Sequence, residues 1–331
     1  MAAPNPFDMS TGFPPKPSLK RYQLRHCIQA LKFFKAKQTD ENSIKKEFSL
    51  LQDNRMSEEE VNSRCLEAKL HANRTKNRYQ GVVPFDANRV VLDRCKDRRS
   101  SATGYINASY ITSEANANPS ENVSRFIATQ GPIPQTFDDF WEMVLQKRCP
   151  AIVMLTRLVD PPKVEMCGDY FQGDNGRGLF GNICIVTNKI IITDSSLELR
   201  HLEVNYEESE DPPLPVLHIQ YPEWANDEAP SDTLVVREIF RRLCHLPLSQ
   251  VPIVVHCSAG IGRTGTYCAI HNTIQRVLVG DMSALDLAET ISTLRSQRYG
   301  MIQSLKQYEF IFKAIVDELE DLISGSTTQE S

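Results

Sequence analysis

The segment PIVVHCSAGIGRTGTYCAI, residues 252–270, constrains the fold more than any other part of this chain. It opens as a short apolar β-branched run, passes through a string of small residues and continues into a helical pattern starting near Thr264. A strand, a loop and a helix in that order make an anion site. Ser258, Ala259, Gly260 and Gly262 allow successive backbone N–H groups to turn inward as a nest, and the helix N-terminus adds positive potential. Arg263 closes the ring with a planar fork that can hold two oxygens of a phosphate at once, which a lysine cannot do. The same donors act on Cys257. A free thiol with a pKa of about 8.5 falls to roughly 4 to 7 in such surroundings, so Cys257 is expected to be a thiolate and a nucleophile. Thr264 is placed to cap the helix and to donate its hydroxyl to the sulfur, and His256 to orient the loop through a ring N–H.

The rest of the chain predicts one mixed α/β domain around this segment. Short β-branched runs at 151–158, 182–193, 199–206, 216–221 and 252–256 read as strands, and 233–243, 264–278, 284–297 and 305–322 as helices. Tyr308, Ile311, Phe312, Ile315, Val316 and Leu319 fall on one face of the last helix. Residues 1–17, with five prolines, are expected to form a disordered tail, 18–44 a helical extension, 45–323 the catalytic domain and 324–331 a second disordered tail. Within the extension, Leu24, Cys27, Ile28, Leu31 and Phe34 recur at helical steps and predict one apolar stripe beside a solvated basic face of Arg21, Arg25 and Lys32.

Composition narrows the function classes. A net charge of -5 with interspersed signs gives no general attraction to nucleic acid or anionic lipid, so any anion site must be local. No leader pattern and no uncharged apolar run of about 18 residues is present, which leads to the expectation of a cytoplasmic or nuclear protein with no membrane contact. Nine cysteines scattered singly, without a CxxC pair, fit neither a disulfide framework nor a zinc site. No metal and no cofactor are expected.

The string HCSAGIGRTG resembles the signature of the protein tyrosine phosphatase family, and further segments follow in family order over about residues 45–322. KNRYQGVVPFDANRVVL resembles the phosphotyrosine-recognition loop, GYINASYI the strand after it, FIATQGPIPQTFDDFWEMV the next block, YPEW the acid loop and GMIQSLKQY the glutamine loop. The chain is similar to the tyrosine-specific, non-receptor branch, and most of all to the soluble plant enzymes. The resemblance implies a cysteine-based phosphatase fold, a phosphocysteine intermediate, tyrosine-phosphorylated proteins as partners, kinases among them, and a monomer. It assigns the chemistry to Cys257, Arg263, Thr264, Gln303 and Asp227, and substrate contact to Tyr79, Asn226, Ser258, Ala259, Gly260, Ile261, Gly262 and Gln307. Tyr79 would wall a slot deep enough for phosphotyrosine but too deep for phosphoserine. Gln303 and Gln307 would hold the water that hydrolyses the intermediate.

Three departures from the family pattern stand out. Gly81 replaces an aspartate that would accept peptide N–H groups. Met166 takes a usual lysine position in LVDPPKVEMC, leaving Asp160 and Lys163 as the nearby charged groups. The acid loop reads Trp224-Ala225-Asn226-Asp227-Glu228 where relatives read Trp-Pro-Asp-His-Gly, so an amide stands at the general-acid position. Asn226 cannot give a proton to a leaving phenolate; the neighbouring Asp227 could, if the loop closes in altered register. The expected activity is hydrolysis of phosphotyrosine. The alternative is a phosphotyrosine-binding pseudophosphatase or slow substrate trap.

Overall fold

The computed structural model describes residues 7–93, 104–112, 123–171, 176–226, 228–244, 246 and 251–326. Its strands are β1 (Arg89–Val91), β2 (Tyr105–Ile111), β3 (Phe126–Thr129), β4 (Ala151–Met154), β5 (Val159–Asp160), β6 (Val164–Glu165), β7 (Arg177–Phe180), β8 (Ile183–Ile192), β9 (Glu198–Tyr206), β10 (Leu214–Gln220) and β11 (Ile253–His256). Nine of them form one mixed sheet in the order β1-β2-β3-β11-β4-β10-β9-β8-β7, while β5 and β6 pair as a separate hairpin. At the centre β3, β11, β4 and β10 run parallel, and antiparallel strands extend the sheet on both sides. Every residue of β3, β4 and β11 is buried. That is why these segments read as unbroken apolar runs: a parallel centre is covered on both faces.

Alternation along each strand divides the core. In β11, Ile253 and Val255 join the larger apolar cluster, whereas Val254 points into the other. The smaller cluster is closed by α6 (Phe137–Gln146). The larger is closed by α1 (Arg21–Gln38), α2 (Glu41–Asp53), α7 (Leu234–Leu243), α8 (Gly262–Val279), α9 (Leu287–Gln297) and α10 (Leu305–Ser326), with the short helices α3 (Glu58–Ser63), α4 (Leu66–Lys69) and α5 (His71–Arg74) between α2 and β1. The predicted stripe of α10 is buried along its length, from Tyr308 to Leu319. Helix α8 is buried from Gly262 to Val277. It follows the carboxyl end of β11 after a short loop, so its N-terminus lies at the edge where parallel strands place their ligand sites.

Three expectations need correction. The first concerns residues 1–17: from Phe7 onward this segment is seated on the domain. The Arg242 side chain, with no exposed surface, donates to the carbonyl oxygens of Asp8, Ser10 and Gly12 at 3.1, 3.1 and 2.9 Å. Phe7 is buried, and the Asp194 N–H donates to the Thr11 carbonyl. A segment poor in apolar residues is held by its backbone carbonyls, which carry no sequence signal; residues 1–6 lie outside the described ones. The second is the expected C-terminal tail, whose first residues continue α10 to Ser326, while 327–331 lie outside the described residues. The third is the stripe of α1: Cys27, Ala30 and Phe34 are buried, Ile28 is exposed, and Phe34 packs edge-on against Phe312 of α10. These α1 residues share the larger cluster with the rest of the chain, so no gap in packing marks residue 45.

Arg242 also pairs with the buried carboxylate of Glu238 at 2.6 Å, one turn back on α7. Replacing it by Met would leave that buried carboxylate without its counter-ion, with only the Ser195 hydroxyl donating to it, as well as freeing the N-terminal segment. Arg242→Met is expected to lower unfolding free energy by about 3–5 kcal/mol, and the Glu238→Gln/Arg242→Met double variant to recover part of the loss, as read from denaturant midpoints.

Candidate active site

Five residues, Cys257 to Ile261, connect β11 to α8 and curl around a point in front of the helix N-terminus. The curl requires glycine at 260, where φ is +72° and a Cβ would meet the Thr129 carbonyl oxygen at 2.1 Å. Behind the loop lies Arg298, fully buried, which donates to the carbonyls of Gly260 at 2.9 Å and Ala259 at 3.2 Å and to Asn107 Oδ1 at 2.8 Å. Carbonyls drawn outward in this way leave the loop N–H groups free to face inward.

Cys257 sits at the base with 2% of its surface exposed. Burial alone would push its thiol up. The Arg263 guanidinium, the Thr264 hydroxyl and the N–H groups of Thr264 and Gly260 outweigh that effect and hold it below the usual cysteine value. Thr264 Oγ1 donates to the sulfur at 3.3 Å. Buried thiols without such donors go the other way: burial pushes Cys65 up to about 11 and Cys27 up to about 12.

The acid loop lies over Arg263. Nη1 donates to the Trp224 carbonyl at 2.8 Å and to Thr156 Oγ1 at 3.1 Å, and Nη2 donates to Asn226 Oδ1 at 3.2 Å. Trp224 anchors that loop: its ring is buried among Tyr221 and Phe310, and its Nε1 donates to the Glu228 carbonyl at 2.9 Å. Glu228 in turn pairs with Lys306, at the start of α10, at 2.7 Å. Asp227 lies outside the described residues.

The opposite wall is built by the residues before α10. Ile302 has φ of +58°, an unfavourable value for a β-branched residue, and is held there by its N–H to the Ile261 carbonyl and by Arg295 on its own carbonyl. The strained turn delivers Gln303 over Gly262, where a Cβ would meet Gln303 Oε1 at 2.4 Å and Gln307 Nε2 at 3.1 Å. Gln307 Oε1 accepts the Gln303 N–H at 2.8 Å. Across the mouth Tyr79, 40% exposed, hydrogen-bonds through Oη to Ser258 Oγ at 2.9 Å. Its turn is fixed by Arg78, which donates to the carbonyls of Gly131 and Pro132, each at 3.0 Å.

These groups enclose a cavity of about 350 Å³ lined by Tyr79, Gly81, Val82, Asn226, Cys257, Ser258, Ala259, Ile261, Arg263, Gln303 and Gln307. Of the residues expected at the site, Gly260 and Gly262 contribute backbone and Thr264 lies beneath the sulfur, outside the lining. Gly81 has no atom within 4 Å of where a Cβ would stand, so the rim there is open. Asp160 pairs with Arg157 at 3.5 Å and Lys163 is exposed on the turn between β5 and β6; neither lines the cavity. Sequence reasoning missed Arg298 and Arg78. Both act on backbone carbonyls, and only the position of Arg298 just before GMIQ could have pointed to it.

Two outcomes test this geometry. Iodoacetamide below the ordinary cysteine pH range should modify Cys257 ahead of Cys27 and Cys65, as followed by peptide mass spectrometry; equal rates would contradict the electrostatics described. Gly260→Ala should weaken vanadate binding by about tenfold or more, because the added methyl meets backbone that cannot step aside.

The protein-tyrosine phosphatase family model matches residues 73–317. Protein-tyrosine-phosphatase PTP1 of Arabidopsis thaliana is 58% identical over 328 residues, spanning 98% of this chain and 94% of that one. Tyrosine-protein phosphatase 3 of Dictyostelium discoideum is 33% identical over 281 residues, 82% of this chain and 27% of that one. Tyrosine-protein phosphatase non-receptor type 20 of Rattus norvegicus is 29% identical over 309 residues, 93% of this chain and 67% of that one. With Arg263, Gln303, Gln307 and Tyr79 gathered around the Cys257 thiol, the chain belongs to the protein-tyrosine phosphatase family and is a phosphatase enzyme.

Proposed function

We propose that this chain hydrolyses phosphotyrosine on proteins through a phosphocysteine intermediate, and that its first step is slow for want of a general acid. The observation that carries the reading is Cys257, its thiol lowered by Arg263 and Thr264 at the base of a cavity with Tyr79 at its rim. The sulfur attacks phosphorus, an S–P bond forms and the bond to the tyrosine oxygen breaks. Arg263 and the loop N–H groups stabilise the charge on the equatorial oxygens. To hold two of those oxygens, Nη2 of Arg263 must give up Asn226 Oδ1. Water held by Gln303 and Gln307 then attacks phosphorus, and Thr264 donates to the departing sulfur.

The substrates are tyrosine-phosphorylated proteins, kinases among them, met in the cytoplasm or nucleus by a monomer. A low-pKa thiol in an open cavity also makes Cys257 the first site of peroxide oxidation, reversible at the sulfenic stage. Capture without turnover is the rival reading and rests on Asn226 alone. The phosphatase name of a relative 58% identical favours turnover.

A tyrosine phenolate, with a pKa near 10, leaves slowly unless protonated. Asn226→Asp is therefore expected to raise turnover of phosphotyrosine peptides on the order of 10²-fold, with a smaller gain on aryl phosphates of acidic phenols. If Asp227 already serves as the acid, Asp227→Asn slows phosphotyrosine hydrolysis sharply while Asn226→Asp changes little, and steady-state kinetics of the two variants separate the cases.

A further inference from the structure

On the α6 side of the sheet, three fully buried rings form a chain that ends on the nucleophile's own carbonyl: His218 of β10, Tyr170, and His256 at the end of β11. His256 Nδ1 lies 3.2 Å from the Cys257 carbonyl oxygen. Its Nε2 lies 2.6 Å from Tyr170 Oη, which lies 2.9 Å from His218 Nε2. One arrangement of protons satisfies every contact. The carbonyl can only accept, so His256 carries its proton on Nδ1. Burial lowers the His256 imidazolium to about 4, with the carbonyl contact opposing and Arg78 and Arg263 assisting, so the ring is neutral near pH 7 and its Nε2 is bare.

Tyr170 must therefore donate to His256, and burial keeps that hydroxyl protonated by holding the phenol well above its usual range. Its oxygen is left to accept from His218 Nε2–H. The remaining ring nitrogen, His218 Nδ1, is the one that finds no hydrogen-bond partner. Met154 Sδ, at 3.9 Å, is the only competing acceptor near the Tyr170 hydroxyl among the described residues, and a weaker one than an imidazole nitrogen. Trp141 Nε1 donates to the Tyr170 backbone carbonyl at 2.9 Å and fixes the middle of the chain in place.

We infer that His218 is a positioning residue for the phosphate loop: by donating to Tyr170 it fixes the sense of a one-way chain that holds the Cys257 carbonyl against His256. The peptide unit is planar and trans, so a carbonyl held toward His256 sends the Ser258 N–H the opposite way, toward the nest. The inference rests on the reading of Cys257 as nucleophile. After burial, the charged and titratable groups that face His218 are Arg200 of β9 and His256, and both keep its ring neutral. Those that face Cys257 are Arg263 of α8, Arg298 behind the loop and the thiols of Cys167 and Cys268.

The test is the pH profile of iodoacetamide alkylation at Cys257, read by peptide mass spectrometry, together with kcat/KM on an aryl phosphate. H218F removes the donor, and its profile should move up by about one pH unit with kcat/KM down about tenfold. H218Q, which returns an N–H near the Nε2 position, should restore both. H218N is polar but too short to reach Tyr170, should behave as H218F, and carries the comparison if H218F does not fold. In a Y170F background, H218F should add no further loss, because the chain is already broken. Profiles for H218F and H218N that match wild type, with only the melting temperature changed, would overturn the inference and leave the nucleophile standing. Failure of wild-type Cys257 to react ahead of the other thiols would remove both.

Discussion

Taking a thiol almost wholly out of water favours its neutral form, and a neutral thiol would be useless as a nucleophile at neutral pH. Cys257 escapes because a cation and several donors act on its sulfur and outweigh burial: Arg263, the Thr264 hydroxyl and inward N–H groups. Each of those donors is available only because something else holds the loop open. Arg298 draws two loop carbonyls outward. Gly260 takes a conformation that no other residue could adopt against the Thr129 carbonyl. The parallel centre of the sheet delivers the α8 N-terminus to the same point. The balance between burial and donation at one sulfur thus depends on the sheet order, one glycine and one buried arginine together.

The loop that covers this thiol is tied down by contacts of unequal worth. The Trp224 carbonyl on Arg263 and the buried indole are interior contacts, while the Glu228–Lys306 pair joins two side chains each more than half exposed. Exposed pairs of that kind contribute about 0–1 kcal/mol, so the pair biases the loop without locking it. Asn226 occupies the outer nitrogen of the very fork that substrate needs. On the proposed reading its amide acts twice: it withholds a proton from the leaving group and it competes, weakly, for Arg263.

Much of the site could be read from the sequence because its parts are contiguous or have a fixed local geometry. HCSAGIGRTG carries its own loop and helix start, and the apolar runs at 151–158 and 252–256 read as strands. Gln303 and Gln307 both line the cavity that holds Cys257. What escaped reading was contact between backbone and distant arginines. Arg298, Arg78 and Arg242 all act on carbonyl oxygens, and a carbonyl is the same at every residue, so the seated segment from Phe7 looked like a free tail. The stripe of α1 was misjudged at Ile28 for another reason: a helix packed at one edge buries a narrow face, and Ala30, small and easily passed over, filled the place instead.

The central claim is that Cys257 carries the phosphoryl group during turnover. It is tested most directly by mixing the chain with an aryl phosphate of an acidic phenol, whose departure needs no proton, quenching in acid within the first turnovers and locating phosphate by mass spectrometry. The account predicts a phosphoryl group on the peptide holding Cys257, with about one phenol released per chain ahead of the steady rate. Phosphate on a different residue, or release of phenol at an undiminished rate by a Cys257→Ser chain, would contradict it.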